Sequence, residues 1–265
     1  MRVSLIITTY NRPDALLLVL RSIETQVSKP IEIIIADDGS TNDTKEVVTS
    51  FQEKSDIRVI HSWQEDNGFR AAKSRNKAIT KATGEYIILV DGDMILHPKF
   101  IEDHINNAES GYFVQGSRVL LTQNRTKIVL NDSGMNFSFT SSGLKNRKNA
   151  IHSNSLSRLF SNKKNTLRGI KSCNLAFFKQ DCISVNGFNN EFEGWGREDS
   201  EFIVRLQNKG IKRKNIRFNA IQFHLWHKEN TRTALDKNDS LLQEAILNRT
   251  KWCDDGVDRV NNNEG

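Results

Sequence analysis

Tyr86-Ile87-Ile88-Leu89-Val90 runs directly into Asp91-Gly92-Asp93. An apolar run without alternation reads as a strand buried on both faces, the habit of parallel sheets. Shorter runs of the same kind lie upstream at Val3 to Thr8, Ile31 to Ala36 and Ile57 to Ile60. Helical patterns separate them. Pro13-Asp14 opens one that carries Leu16, Leu17, Leu20 and Ile23, and a second begins after Ser40 or Thr41 and carries Val47, Val48 and Phe51. A third extends from about Phe69 to Ala82 and stops at Gly84. Strands alternating with helices predict an α/β fold, a mostly parallel Rossmann-like sheet with helices on both faces, over residues 1 to about 115.

Downstream the regularity breaks. Tyr112 to Leu121 reads as one more strand, and the Ser-, Asn-, Lys- and Gly-rich stretch from Ser133 to Lys171 reads as long binding loops or lids. Order returns with Leu175 to Phe178, a short helix near Asp181 to Val185, a turn at Asn186-Gly187 and a helix from Glu198 to Lys209 closed by Gly210. Ile216 to His224 reads as a strand and Ser240 to Trp252 as a last amphipathic helix, before a polar, frayed end at Asn261 to Gly265. The expected division is a nucleotide-binding part (1–115), an acceptor part (116–230) and a C-terminal helix and tail (231–265), all in one domain.

The 265 residues are 37% hydrophobic and 26% charged, which excludes a disordered chain. No apolar run approaches the roughly 20 residues of a membrane span, and Met1 to Ile7 turns polar too soon for a secretory signal, so a cytoplasmic chain is expected. Cys173, Cys182 and Cys253 lack zinc-site spacing and suit a reducing compartment. The net charge of +6 is unevenly spread: no acidic residue occurs between Asp132 and Asp181, while Lys145, Arg147, Lys148, Arg158, Lys163, Lys164, Arg168, Lys171 and Lys179 do. Such a segment is either a solvated loop or a contact for an acidic partner, whether phosphate, anionic membrane or nucleic acid. No reading element for nucleic acid is evident, so none is expected as a partner.

Ligands of open parallel sheets bind beyond the carboxyl ends of the strands. Here those ends are Thr8-Thr9-Tyr10-Asn11, Asp37-Asp38-Gly39-Ser40 and Asp91-Gly92-Asp93. A turn or helix cap explains any one of them, but not all three on one edge. In an extended backbone Asp91 and Asp93 point to the same side, and Gly92 between them admits a ligand close to the chain. Two hard oxygen donors so placed suit Mg²⁺ or Mn²⁺ shared with a diphosphate.

With these parts the sequence resembles the family 2 glycosyltransferases of the GT-A fold, whose D-x-D motif follows a buried strand. Ile6-Ile7-Thr8-Thr9-Tyr10-Asn11-Arg12, Ala36-Asp37-Asp38-Gly39-Ser40, Asn67-Gly68, Ser74-Arg75-Asn76 and Asp91-Gly92-Asp93 carry the resemblance. It implies a nucleotide-sugar site in which Thr8 and Tyr10 flank uracil, Asp38 accepts from the base, Asp91 faces the ribose or the metal, and Asp93 binds Mn²⁺ or Mg²⁺. Arg12 and Gly92 belong to the same site, and Arg70, Lys73 and Arg75 are the candidates for the diphosphate.

Gly194-Trp195-Gly196-Arg197-Glu198-Asp199 joins an aromatic plate, two glycines and paired carboxylates at a helix start. The carboxylates could merely complement the helix dipole and the indole could be core; alternatively the indole stacks on a sugar and a carboxylate takes a hydroxyl proton. The segment is similar to the W-G-x-E-D motif of β-1,4-galactosyltransferases and bacterial chondroitin-type polymerases, with Arg197 in place of the commoner Gly. That resemblance implies Asp199 as base, and Glu198, Trp195, Gly196 and Asn174 as acceptor binders. His224-Leu225-Trp226-His227 resembles the metal-binding pair of the galactosyltransferases, His227 matching the second ligand and His224 standing in for the first. The implied function is inverting transfer from a UDP-sugar, of galactose, glucose or N-acetylgalactosamine type, to a glycan acceptor of O-antigen, capsule or lipooligosaccharide assembly. That acceptor is expected on a lipid diphosphate, with peripheral anionic contact at the inner membrane. The alternatives are a sugar nucleotidyltransferase and a non-catalytic carbohydrate-binding relative.

Overall fold

The computed structural model describes residues 1–132, 134–228 and 231–262. The first half runs β1 (Val3–Thr9), α1 (Pro13–Glu24), β2 (Glu32–Asp37), α2 (Asn42–Gln52), β3 (Arg58–Trp63), α3 (Ala71–Lys81) and β4 (Tyr86–Asp91). It continues through β5 (Met94–Leu96), α4 (Phe100–Asn107), β6 (Tyr112–Gln115), β7 (Val119–Leu121) and α5 (Gln123–Asp132). The second half holds β8 (Leu144–Lys145), α6 (Asn154–Phe160), β9 (Asn174–Phe178), α7 (Lys179–Ser184) and α8 (Glu198–Asn208). After these come β10 (Lys212–Asn215), β11 (Gln222–His224), α9 (Leu235–Leu247) and α10 (Val257–Asn262).

Seven strands form the main sheet in the order β10-β6-β9-β4-β1-β2-β3, all parallel except β9. Successive residues of β1, β2 and β4 alternate between two buried faces, which is why these strands read as unbroken apolar runs. On one face Leu5, Ile7, Ile33, Ile35 and Ile88 pack with Leu16, Val19, Leu20 and Ile23 of α1. On the other, Ile6, Ile34, Ile87 and Leu89 pack with Ala78 and Ile79 of α3 and with Phe202, Ile203 and Leu206 of α8. Because β9 and β10 come from beyond residue 116, the parts expected to bind nucleotide and acceptor share one sheet. A smaller sheet, β5-β11-β7-β8, lies over a third cluster.

Five expectations are corrected. Tyr112 to Leu121 is not one strand: β6 ends at Gln115 and β7 starts at Val119 in the other sheet. A Cβ at Gly116 would come within 2.4 Å of the Asn174 side chain, so the chain parts around that amide. Ile216 to His224 likewise divides, with Phe218 and Ala220 at positive φ between β10 and β11. The Ser133 to Lys171 segment holds β8, a 3-10 turn at Arg147–Ala150 and α6 rather than loops alone. The last long helix lies at Leu235–Leu247, upstream of the expected span, and the polar end is helical to Asn262, with 263–265 outside the described residues. No described helix is long and apolar enough to cross a membrane.

Candidate active site

The registers Thr8↔Asp91 and Thr9↔Asp37 align the ends of β1, β2 and β4, so their polar residues meet at one sheet edge. Asp37 is structural: its oxygens take Ser40 N–H at 2.8 Å and lie 2.8 Å from His61 Nε2. Asp38 is 3% exposed and accepts from Gln64 Nε2 at 2.6 Å and from Arg70 N–H at 2.7 Å. Burial raises its pKa against those bonds. Tyr10 is exposed and donates to Asp66 Oδ2 at 3.0 Å. Trp63, absent from the expected site, lies half-exposed beside it and donates to Ser40 O. Its position at the end of β3 was the available signal.

Beyond β4 the chain turns at Gly92 and Asp93 rather than extending. Gly92 is needed for the protein's own packing: its N–H bonds Thr8 O at 2.7 Å, and a Cβ there would lie 2.9 Å from Thr9 Oγ1. This corrects the expectation of an extended D-x-D with a glycine opened toward ligand. Asp91 faces Arg75, 3.8 Å away; loss of solvent, aided by Asp93 and opposed by Arg75, pushes its pKa up to about 6. Asp93 leads into β5, and β5 pairs antiparallel with β11 with His224↔Met94 in register. That pairing sets Asp93 Oδ2 3.2 Å from His224 Nε2 and 3.3 Å from His227 Nε2. Asp93 Oδ1 is buried without a hydrogen-bond partner. A buried, orphaned carboxylate oxygen beside two imidazole nitrogens is the donor set a Mn²⁺-like cation takes, so these residues fit the expected metal.

Arg75 joins the halves. It is 4% exposed, with Nε 3.2 Å from Thr8 Oγ1 and Nη1 3.0 Å from Glu198 Oε1. Its neighbour Asn76 bonds both N–H and C=O of Phe188, holding the Asn186-Gly187 turn against α3. Of the three cations considered for the diphosphate, Arg75 is the one brought between Asp91 and Glu198. Arg70 donates to Glu65 O, Lys73 lies along α3, and Arg12, whose charge helps lower the pKa of Asp93, stands 3.4 Å from Asp14.

Gly194, Gly196 and Arg197 all have positive φ, and Arg197 caps α8 in the left-handed region while its guanidinium pairs with Asp239. That conformation is the physical reason a glycine suits position 197. Trp195 stays 40% exposed, with Arg232 over its ring. Asp199 is partly buried beside Glu198; burial first, then the Glu198 charge, push its pKa up to about 7, with Arg75 opposing. Asn174 is corrected: it is 1% exposed, donates to Ser117 O and Ala220 O, and lies 2.9 Å from His104 Nε2, so it braces the fold instead of meeting an acceptor.

The model of glycosyl transferase family 2 matches residues 4–168, and that of the N-terminal domain of galactosyltransferase matches residues 155–228. A hyaluronan synthase of Pasteurella multocida is 30% identical over 80% of this chain and 23% of its own length. A chondroitin synthase of Escherichia coli is 26% identical over 92% of this chain and 38% of its own. The chain therefore spans only 23% to 38% of the length of these relatives. S. aureus TarS 1-349, solved in complex with UDP, superposes with a TM-score of 0.62 at 17% identity, over 98% of this chain and 68% of that one. The architecture is the GT-A fold that the sequence resemblance implied.

Proposed function

The chain belongs to glycosyl transferase family 2, and from that membership we propose an inverting, metal-dependent transfer of a hexose or N-acetylhexosamine from a UDP-sugar to a glycan hydroxyl. One observation carries the proposal: the Arg75 guanidinium reaches both Asp91 and Glu198, so the motif after β4 and the motif at the start of α8 face one cleft. Tyr10 and Asp38 take the base end, as their place beyond β1 and β2 suggests. Asp93, His224 and His227 are the residues to hold a divalent cation, which supplies neutralising charge for the departing diphosphate. Asp199 accepts the proton of the acceptor hydroxyl as its oxygen bonds to the anomeric carbon and the bond from that carbon to the diphosphate oxygen breaks. A base is most effective with a pKa near the working pH, which the burial of Asp199 and its crowding by Glu198 favour. Glu198 and Trp195 orient the acceptor ring.

We further place the acceptor on a lipid diphosphate of bacterial surface-glycan assembly, at the cytoplasmic membrane face. The support is the basic segment together with Leu159 and Phe160, 73% and 46% exposed on α6 beside Arg158. Co-sedimentation with anionic but not zwitterionic vesicles is expected; equal recovery removes this part.

The central test is a thermal-shift titration with UDP and GDP, each with and without Mn²⁺. A rise selective for UDP and dependent on Mn²⁺ is expected, after which UDP-galactose, UDP-glucose and UDP-N-acetylgalactosamine are compared as donors. No shift with any nucleotide would defeat the proposal.

A further inference from the structure

Along the main sheet the nucleotide end lies at β1 to β3 and the metal-binding carboxylate follows β4. On the far side of β4, at the ends of β9, β6 and β10, a cavity of about 420 Å³ opens, a volume suited to a small ligand. Arg118, Lys171, Arg213 and Arg217 line it, with asparagines and Cys173 between them, and no acidic residue does. It adjoins the reaction centre: Cys173 precedes Asn174, which pairs with Val90 at the end of β4, and Arg118 is close enough to Asp91 to lower its pKa.

The wall is built, not incidental. Gln115, buried, donates to Lys171 O and accepts from Lys171 N–H, fixing that loop on β6. Asn149 donates to Arg118 O at 3.0 Å, and Asn162 and Asn215 exchange backbone bonds across the opening. Arg213 is the decisive member. It is 4% exposed, its Nη1 serves the carbonyls of Thr166 and Arg168, and its Nε is buried with no partner. Among the described residues no carboxylate lies within ion-pair distance of any of the four cations. A buried guanidinium is ordinarily paired, because an uncompensated charge out of water is costly. Burial alone accordingly lowers the pKa of Arg213, with no anion to oppose it. Among the described residues none supplies the compensating anion, which points to a bound ligand, and the cavity adjoins Asp91.

We propose that this cavity is a subsite for an anionic sugar, one carrying a carboxylate or a phosphate, whose charge is received by Arg213, Arg217, Lys171 and Arg118. The inference rests on the glycosyl-transfer reading and names a substrate class for it. Guanidinium forks match both anions, so the chemistry is shared between a uronate and a sugar phosphate, and between donor and acceptor.

Calorimetric titration of the chain distinguishes them with three matched pairs. UDP-glucuronate is set against UDP-glucose, a disaccharide ending in glucuronate against its glucose counterpart, and glucose 6-phosphate against glucose, the last two pairs both with and without saturating UDP and Mn²⁺. At least one anionic member should bind about tenfold tighter than its neutral twin, roughly the value of a charge-assisted hydrogen bond. A preference in the first pair assigns the anion to the transferred sugar, and one in the second or third to the acceptor. Lys171→Gln and Arg217→Gln, both at exposed positions, should each reduce the preference severalfold, and Arg213→Gln should remove it. The Mn²⁺-dependent UDP shift of each variant reports its folding, and its absence from the unaltered chain would defeat the glycosyl-transfer reading while leaving the sugar pairs readable. Equal binding within all three pairs, or a preference that survives all three substitutions, overturns the subsite.

Discussion

Two clusters in this molecule have the same composition, one aspartate and two histidines, and opposite characters. In the first, Asp93 Oδ1 is buried without a partner, and the rings of His224 and His227 stand at 89° to one another. In the second, Asp103 Oδ1 accepts from Asn219 at 2.9 Å, Oδ2 accepts from Ala220 N–H at 2.8 Å, and His152 lies 3.0 Å away. The rings of His97 and His152 there are stacked, 9° from parallel. A cation lies in the plane of each imidazole that binds it, and stacked planes do not meet at a common ion. Ligand type therefore does not make a metal site; spare lone pairs and converging ring planes do. The first cluster has the spare lone pair and the ring geometry to receive a cation, and the second holds α4 to the segments around His152 and Asn219.

The most severe test of this contrast exchanges the two aspartates' fates. Asp93→Ala should abolish Mn²⁺-dependent UDP binding and lower turnover by at least about 10³-fold, the several kcal/mol that metal stabilisation of a leaving group supplies. Asp103→Ala should leave the Mn²⁺ effect in place. A Mn²⁺ response that survives the first substitution, or vanishes with the second in a folded protein, breaks the comparison.

Asp199, the base proposed above, extends the comparison to a carboxylate crowded by another. Asp199→Asn should cost about 10²–10⁴-fold in turnover with the UDP shift retained. Since the base acts unprotonated and its pKa is raised to about 7, kcat/KM should fall about tenfold per pH unit below that value. A flat profile from pH 5.5 to 7.5, or wild-type rates in the Asn variant, removes Asp199 from the mechanism.

The sequence made the first cluster readable because its parts sit on conspicuous elements. Asp93 follows an apolar run whose burial on both faces is plain, and His224 and His227 fall in one short segment. The second cluster draws on His97, Asp103, His152 and Asn219, residues that only the packing of α4 and α6 brings together. Local signals failed for the same kind of reason elsewhere. Tyr112 to Leu121 is apolar enough for one strand, and the side chain that divides it, Asn174, is distant in sequence. Phe218 and Ala220 adopt positive φ although neither is a glycine or an asparagine, the asparagine lying between them at 219. The acid-free segment pointed to an anion site, yet Arg118, Arg213 and Arg217 of the cationic cavity lie outside it.

A smaller effect sharpens the structural side. Asp103→Asn puts an amide N–H in place of one of two accepting oxygens, Oδ1 that takes Asn219 or Oδ2 that takes the Ala220 N–H, leaving a buried donor unmet. A loss of about 2–3 kcal/mol is expected, seen as a melting temperature lower by about 5–10 °C. A change under about 1 °C would show that the network carries little of the fold.

The smallest effect is acid sensitivity, and it belongs to the structural cluster and the histidine packed beside it. Burial, with the charges of His152 and Lys99, pushes the pKa of His97 down to about 4, and burial does the same for His104, which is wholly enclosed. Each therefore takes up its proton in the unfolded chain at about 6.5, well above the pH at which it does so when folded. Stability present at neutral pH is lost as pH falls through 6.5 toward 4, because the unfolded state then binds more protons. At pH 5.5 His104 alone should cost about 1 kcal/mol. His104→Gln keeps a donor for Asn174 and does not titrate, so it should flatten that part of the slope in metal-free buffer. Since Mn²⁺ has no place in this cluster, the slope must appear without it; a melting temperature unchanged between pH 7 and 5 would mean that water reaches these rings and that the second cluster is not the closed structure its hydrogen bonds describe.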